Sequence, residues 1–356
     1  MIDLATIWSP EVPRPSLADV PLPERLTHVV LHRGGSDYAF LHESCLVQHD
    51  DGFVVAWNNS PGAESERGTV VRWVRANSDF SQWTEPQPLA PPLEHETTIW
   101  ESAQLLSTNG ELWAFVGQVH SQPRTPEQSG GAMVAFRLDA AAGRWEPRGA
   151  VAGFHPLNRP QRAPGGYCVM GGQYNLIQPR VALSDGEDLA RWEVVAIPSG
   201  PEHGINFAET SLVVDGDAIT AYVRSAIECV FTAESRDGGR TWDRLRPSNL
   251  PMRSSKTSAG RLSTGQRYLA LNLVDPLLGD RDVLALAVSA PGDPHLRKLV
   301  PLRRGPSPAP RLSGYCKAPQ WSYPSVEEYA GNVYVTYSVT KEDCCLSILP
   351  LEELRV

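Results

Sequence analysis

Ser235-Arg236-Asp237-Gly238-Gly239-Arg240-Thr241-Trp242 reads S-x-D-x-G-x-T-W. It places an Asp and two glycines, which close a tight turn, just ahead of a Trp that needs a large apolar slot. Looser copies stand at Ser78 to Trp83 (SDFSQW), at Leu138-Asp139 through Gly143-Arg144-Trp145, and at Ser184 to Trp192 (SDGEDLARW). The spacings from Trp83 to Trp145, Trp192 and Trp242 are 62, 47 and 50 residues. A repeat of about 40–50 residues carrying several strands marks the blades of a propeller.

The surrounding sequence agrees. Short apolar runs such as Phe53-Val54-Val55-Ala56-Trp57, Leu112-Trp113-Ala114-Phe115-Val116 and Val283 to Val288 read as strands, and helical periodicity is nearly absent. The 29 Gly and 31 Pro supply frequent turns. Hairpin signals fall at Asp51-Gly52, Asn109-Gly110 and Asp215-Gly216, with looser forms at Thr264-Gly265 and Gly331-Asn332. The fold class is therefore all-β, a single domain over residues 1–356. It is expected as a propeller of four-stranded antiparallel blades. Dividing 356 residues by about 50 per blade gives seven, or six if loops and terminal closure take up length.

Composition narrows the function. A net charge of -9 disfavours a continuous basic face, so no nucleic-acid partner is expected. No run approaches the roughly 18 apolar residues of a membrane span. The start, MIDLATIWSP, lacks a secretory pattern, which points to a cytoplasmic protein. The six cysteines (Cys45, Cys168, Cys229, Cys316, Cys344, Cys345) have no metal-like spacing and are expected as reduced, mostly buried thiols. No metal and no cofactor is expected. Metalloprotease, P-loop, nucleophile-elbow and dinucleotide-binding motifs do not occur.

The octet at 235–242 resembles the Asp-box of sialidase-like propellers. Ala208-Glu209-Thr210-Ser211-Leu212, then Tyr222-Val223-Arg224-Ser225, then the box, is similar to the sialidase order of a Glu, an Arg and an Asp-box. Trp321-Ser322-Tyr323-Pro324-Ser325 resembles the strand that carries the sialidase nucleophile. Where sialidases open with Arg-Ile-Pro, this chain has Phe40-Leu41-His42-Glu43-Ser44. Other stretches resemble a sister group, the propeller α-L-rhamnosidases and rhamnose–glucuronate lyases. They are Trp57 to Pro61, Glu64 to Gly68, Phe154 to Leu157, Met170 to Gly172, Pro179 to Ala182, Leu250 to Lys256, Arg281 to Leu286 and Tyr337 to Asp343.

The resemblance implies a carbohydrate-active enzyme, an exo-acting glycoside hydrolase that releases a terminal, rhamnose-type sugar from an anionic, uronic-acid-containing oligosaccharide. Alternatives are a lyase acting at a uronic acid, an exo-sialidase with three converging arginines, and a non-catalytic glycan-binding propeller. The expected catalytic residues are His42 for proton transfer, with Glu209 and Tyr323. The expected substrate-binding residues are Arg224, Lys256 and Lys317 toward a carboxylate, with Arg180 and Asn206. Imidazole titrates near neutrality unaided, and a guanidinium offers two parallel donors to a carboxylate. His120, His155, Tyr174 and Trp100-Glu101 read as ordinary loop residues near the mouth. Like ends of the inner strands converge in a propeller, so these distant residues should meet on one face.

Overall fold

A computed structural model of the chain describes residues 4–95, 97–121, 131–200 and 203–356. Strands are numbered along the chain. β1 (Thr27–Arg33) stands apart from its neighbours in sequence. Blade 1 is β2 (Phe40–His49), β3 (Gly52–Ser60), β4 (Val70–Asn77) and β5 (Gln87–Pro88). Blade 2 is β6 (Thr98–Thr108), β7 (Glu111–His120), β8 (Ala132–Asp139) and β9 (Arg144–Ala152). Blade 3 has a split inner strand, β10 (His155–Pro156) and β11 (Gln161–Arg162), followed by β12 (Cys168–Tyr174), β13 (Gln178–Asp185) and β14 (Asp188–Ala196). Blade 4 is β15 (Thr210–Asp215), β16 (Ala218–Val223), β17 (Phe231–Ser235) and β18 (Arg246–Pro247). Blade 5 is β19 (Ser258–Arg261), β20 (Arg267–Asn272), β21 (Val283–Ser289) and β22 (Leu296–Arg304). Blade 6 is β23 (Trp321–Tyr329), β24 (Asn332–Val339) and β25 (Asp343–Pro350), and β1 completes it by pairing with β25.

The blades are antiparallel, and their first strands contact one another in a closed ring around one axis. Six blades form, the smaller of the two expected numbers. Long connections, such as those before β6 and before β23, take up length, and the segment before β1 joins no blade. It lies instead against blades 4 and 5, through bridges Ala5–Ser248 and Trp8–Leu296.

The core follows from this layout. A sheet buried on both faces needs apolar residues at successive positions, and β21 is buried throughout. Six hydrophobic clusters result, one between each pair of neighbouring blades. The four Trp-containing copies all fall at the turn between third and fourth strands, in blades 1 to 4. The best copy shows why the pattern works. Asp237 Oδ1 accepts from Ser235 Oγ at 2.8 Å, Arg240 N at 3.1 Å and Thr241 N at 2.9 Å; Oδ2 accepts from Thr241 Oγ1 at 2.6 Å. These donors hold the Asp237 carboxyl down at about 2. Gly238 and Gly239 take φ of +73° and +92°, and a Cβ on Gly238 would sit 2.0 Å from the Tyr167 hydroxyl. Trp242 then enters the cluster between blades 3 and 4, and its Nε1 donates to Gly239 O at 2.9 Å. In the loosest copy, at 78–83, Trp83 stays exposed, and Asn77 Oδ1 takes over the turn from Ser81 N and Gln82 N. The five hairpin signals all lie between first and second strands.

Trp242→Ala removes an aromatic ring from a closed interface. It should cost about 3–5 kcal/mol of unfolding free energy, measured by denaturant titration.

Candidate active site

The upper ends of the inner strands open into a cavity of about 590 Å³. His42, Glu43, Glu64, Ser65, Glu101, His120, His155, Gln173, Glu209, Arg224, Arg281, Tyr315, Cys316, Tyr323 and Lys341 line it, with Val119, Leu176 and Phe207 as apolar wall.

Three inner strands are interrupted just where they reach this cavity. The pairing slips between His42 and Cys45 in β2, between Glu101 and Ala103 in β6, and between Ser322 and Ser325 in β23. Glu43, Ser102 and Tyr323 stand at these slips with φ of +51°, +56° and +60°. An unbroken strand points successive side chains to opposite faces. The bulge re-aims one of them, so His42 and Glu43, though adjacent, both reach the cavity.

Glu209 and Arg224 flank the hairpin of β15 and β16, and Arg224 N continues the ladder to Glu209 O at 3.0 Å. Arg224 Nη1 donates to Glu209 Oε2 at 2.9 Å and to the Tyr323 hydroxyl oxygen at 2.9 Å. Tyr323 in turn donates to Glu209 Oε1 at 2.7 Å. Arg224 Nε donates to Ser254 Oγ at 3.0 Å, and its guanidinium lies 4.4 Å from the Phe207 ring. Burial alone would raise the Glu209 pKa, but the Arg224 charge and the Tyr323 and Arg224 hydrogen bonds hold it below the usual value. Burial and the Glu209 charge push the Tyr323 phenol well up. The resting site is thus a carboxylate, a guanidinium and a neutral phenol.

The His42 ring centroid lies 3.8 Å from that of Tyr323. Its Nδ1 is 3.3 Å from Ser338 Oγ, while Nε2 has no hydrogen-bond partner among the described residues and lies 3.5 Å from Glu64 Oε1. Burial, then the charges of Lys341, Arg281, Lys256 and Arg224, depress its pKa well below 6.5. At neutral pH it is an uncharged imidazole whose free Nε2 can accept a hydrogen bond.

The structure therefore brings His42, Glu209, Arg224 and Tyr323 together. Lys256 is buried beside them, its ammonium 5.7 Å from the Tyr323 ring centroid. Three expected ligands are corrected. Lys317 has its ammonium committed to Ala39 O at 2.6 Å, Leu312 O at 3.4 Å and Glu342 Oε1 at 3.2 Å, so it staples the loop before β23. Arg180 spends its fork on Gly153 O and Gln178 Oε1 and stacks on Tyr174, outside the cavity wall. Asn206 is exposed on the loop before Glu209 and is not among the residues that line this cavity.

Sequence reading missed Arg281, Lys341, Glu64 and Glu43, and it read Glu101, His120 and His155 as ordinary. Arg281 donates to Gln320 Oε1 at 2.6 Å and lies 6.0 Å from the Tyr323 ring centroid. Lys341 Nζ holds both Glu64 oxygens at 2.9 Å. For Arg281 and Lys341 the available signal was position, since each stands in a loop beside the end of an apolar strand. Two arginines, with Lys341, face the cavity in place of three. Among the described residues no group of three or more His, Cys, Asp or Glu is placed to hold a metal.

The family described as BNR repeat-like domain matches residues 51–335, and the chain belongs to it. Among solved structures, a protein of unknown function from Dyadobacter fermentans superposes with a TM-score of 0.70 at 13% identity, covering 92% of this chain and 100% of that one. The Hadza microbial sialidase Hz136 gives 0.68 at 12% identity, covering 89% and 67%. The Trypanosoma rangeli sialidase in complex with sialic acid gives 0.66 at 14% identity, covering 93% and 59%. At these identities the likeness is one of fold, that of the sialidase-like propellers. No curated protein sequence matches the chain.

Arg224→Met leaves a buried carboxylate without its cation and should destabilise by about 3–5 kcal/mol. Arg224→Met with Glu209→Gln should recover most of that loss, read from the same unfolding curves.

His155 is buried and its pKa is depressed to about 4, first by burial and then by the Lys256 charge. The unfolded chain binds this proton first, so the stability due to neutral His155 is full above about pH 6.5 and is lost as pH falls toward 4. A shift of this size amounts to about 3 kcal/mol. Between pH 7 and 4, His155→Asn should lose less stability than the parent by roughly that amount in denaturant titrations.

Proposed function

We propose that this BNR repeat-like propeller is a glycoside hydrolase that removes a terminal sugar from an acidic glycan fragment. The observation that carries the reading is the bridge of Tyr323, Glu209 and Arg224 across the axis, with contacts of 2.7–2.9 Å inside one cavity. Groups this close can act on one bond, which favours an enzyme over a non-catalytic binding module.

In this reading the Tyr323 oxygen attacks the anomeric carbon as its proton passes to Glu209 Oε1. A neutral phenol with a raised pKa is a poor nucleophile alone, so the transfer to Glu209 accompanies bond formation. Arg224 hydrogen-bonds both oxygens; it is ion-paired with Glu209 at rest, and in the intermediate Glu209 and the glycosylated Tyr323 oxygen are neutral while the negative charge has passed to the leaving-group side. Water then displaces the enzyme, and two displacements return the original anomeric configuration. Neutral His42, with Nε2 uncommitted, accepts a hydrogen bond from a substrate hydroxyl and so orients the sugar. Among the described residues Arg224 Nη2 has no protein acceptor and favours a substrate carboxylate, and the charge of Lys256, buried 5.7 Å from the Tyr323 ring centroid, adds to the positive field there. A rhamnose-type sugar linked to a uronic acid is the specific substrate of the proposal, supported by the stretches that resemble the rhamnosidase and lyase group.

A panel of rhamnosyl-glucuronide, sialyl and uronide oligosaccharides, read by product mass, tests it. Gain of one water on a rhamnosyl-glucuronide is the expected result. Cleavage without that gain, with a conjugated ultraviolet band, would mark elimination, and turnover of the sialyl members alone would mark a sialidase. Tyr323→Phe should lower turnover on the cleaved substrate by about 1,000-fold or more.

A further inference from the structure

Four carboxylates face the cavity, and their partners divide them into two kinds. Glu209 is paired with Arg224 and Glu64 with Lys341. Glu43 and Glu101 have no cation within ion-pair distance among the described residues. Glu43 accepts from Asn58 Nδ2 at 3.4 Å, and Glu101 Oε1 accepts from Ser65 Oγ at 2.5 Å. Both stand at bulges in the inner strands of neighbouring blades, Glu43 within that of β2 and Glu101 just before that of β6. Glu43 is buried, whereas Glu101 is partly open to the cavity.

Ser65 belongs to the loop between β3 and β4, and this loop is tied down on both sides. Glu64 binds Lys341 of blade 6, and the Glu66 carboxylate caps Gly62 N and Ala63 N. Ser65 itself sits at φ of +54°, a conformation that costs a non-glycine residue energy and that persists only when its surroundings hold it. The hydroxyl is thereby brought from blade 1 onto a carboxyl of blade 2.

We infer that Glu101 is the proton donor to the leaving-group oxygen and that Ser65 is the residue that positions it. The inference rests on the glycosidase reading above. As the glycosidic C–O bond breaks, its electron pair stays on the leaving oxygen, which takes the Glu101 proton. The anomeric carbon gains the Tyr323 oxygen in the same step. In the second step the Glu101 carboxylate takes a proton from the attacking water, which restores the acid. The surroundings agree with a resting proton at this position. Burial, then the Glu43 charge, lifts the Glu101 carboxyl to about 8; Glu64 adds to this, and Ser65 and Lys341 oppose it. His120 and His155 are the remaining titratable side chains on the neighbouring strands β7 and β10 that line the cavity.

The test combines a titration with kinetics. In carbon-13 spectra of the resting protein labelled at glutamate carboxyls, one carboxyl should titrate near pH 8 and should vanish in Glu101→Gln. Ser65→Ala removes a donor that favours the anion, so the same titration, and the alkaline limb of kcat/KM, should move up by about half to one pH unit. Glu101→Gln should lower kcat/KM for the native glycan about 100-fold or more, yet keep kcat/KM, which reads only the first step, for the dinitrophenyl glycoside of the same sugar, whose leaving group needs no proton. Equal losses on both substrates, no carboxyl titrating above pH 7, or an alkaline limb unmoved by Ser65→Ala would each overturn the inference and leave the hydrolase reading standing. A parent enzyme that cleaves no glycan would overturn the hydrolase reading, and the donor role with it.

Discussion

The upper half of the molecule is organised around one buried ion pair. Glu209 and Arg224 lie at the two ends of a single hairpin, and both are almost wholly removed from solvent. A lone charge in that position would cost several kcal/mol, so neither residue is tolerable without the other. The pair also reaches across the axis, because the Tyr323 hydroxyl bonds to both partners. Blades 4 and 6 are thereby tied through polar atoms in addition to the apolar clusters between neighbouring blades.

Charge in the cavity is balanced by pairing. Arg224, Arg281 and Lys341 line it with four carboxylates, and Lys256 is buried close by; among the described residues two of those carboxylates, Glu209 and Glu64, touch Arg or Lys. Cations surround the Tyr323 ring, with Lys256, Arg281 and Lys341 nitrogen or guanidinium centres 5.7–6.0 Å from its centroid. With burial they oppose a proton on His42, while burial and Glu209 keep the proton on Tyr323, so one environment holds a neutral imidazole and a neutral phenol side by side.

Much of the fold was legible because turns are local. Asp237, Gly238, Gly239 and Trp242 specify their geometry within eight residues, and the Asp-Gly and Asn-Gly pairs fix hairpins without help from the rest of the chain. The number of blades depends on where the long loops fall and on β1 joining β25, which no local pattern encodes. The site divides the same way. Glu209, Arg224 and Tyr323 were visible because each stands at the edge of a recognisable strand. Lys317 was misread because its acceptors, Ala39 O and Glu342, are remote in sequence and become neighbours only in the closed ring. Glu101 was passed over because its significance comes from Ser65 in another blade and from a bulge at Ser102 that composition does not announce.

The pairing of β1 with β25 has a consequence for how the protein is made. The partner strands are separated by roughly 310 residues of chain, which at about 5–20 residues per second takes the ribosome on the order of 15–60 s to synthesise. Throughout that interval the nascent β1 has open hydrogen-bonding edges and no native neighbour, the state in which strands pair with the wrong chain. Tyr323 also emerges late, so the Glu209–Arg224 hairpin must wait for the partner that completes it. The polar bridge across the axis can thus close only after β23 has emerged, and β1 is the strand that waits longest for its partner.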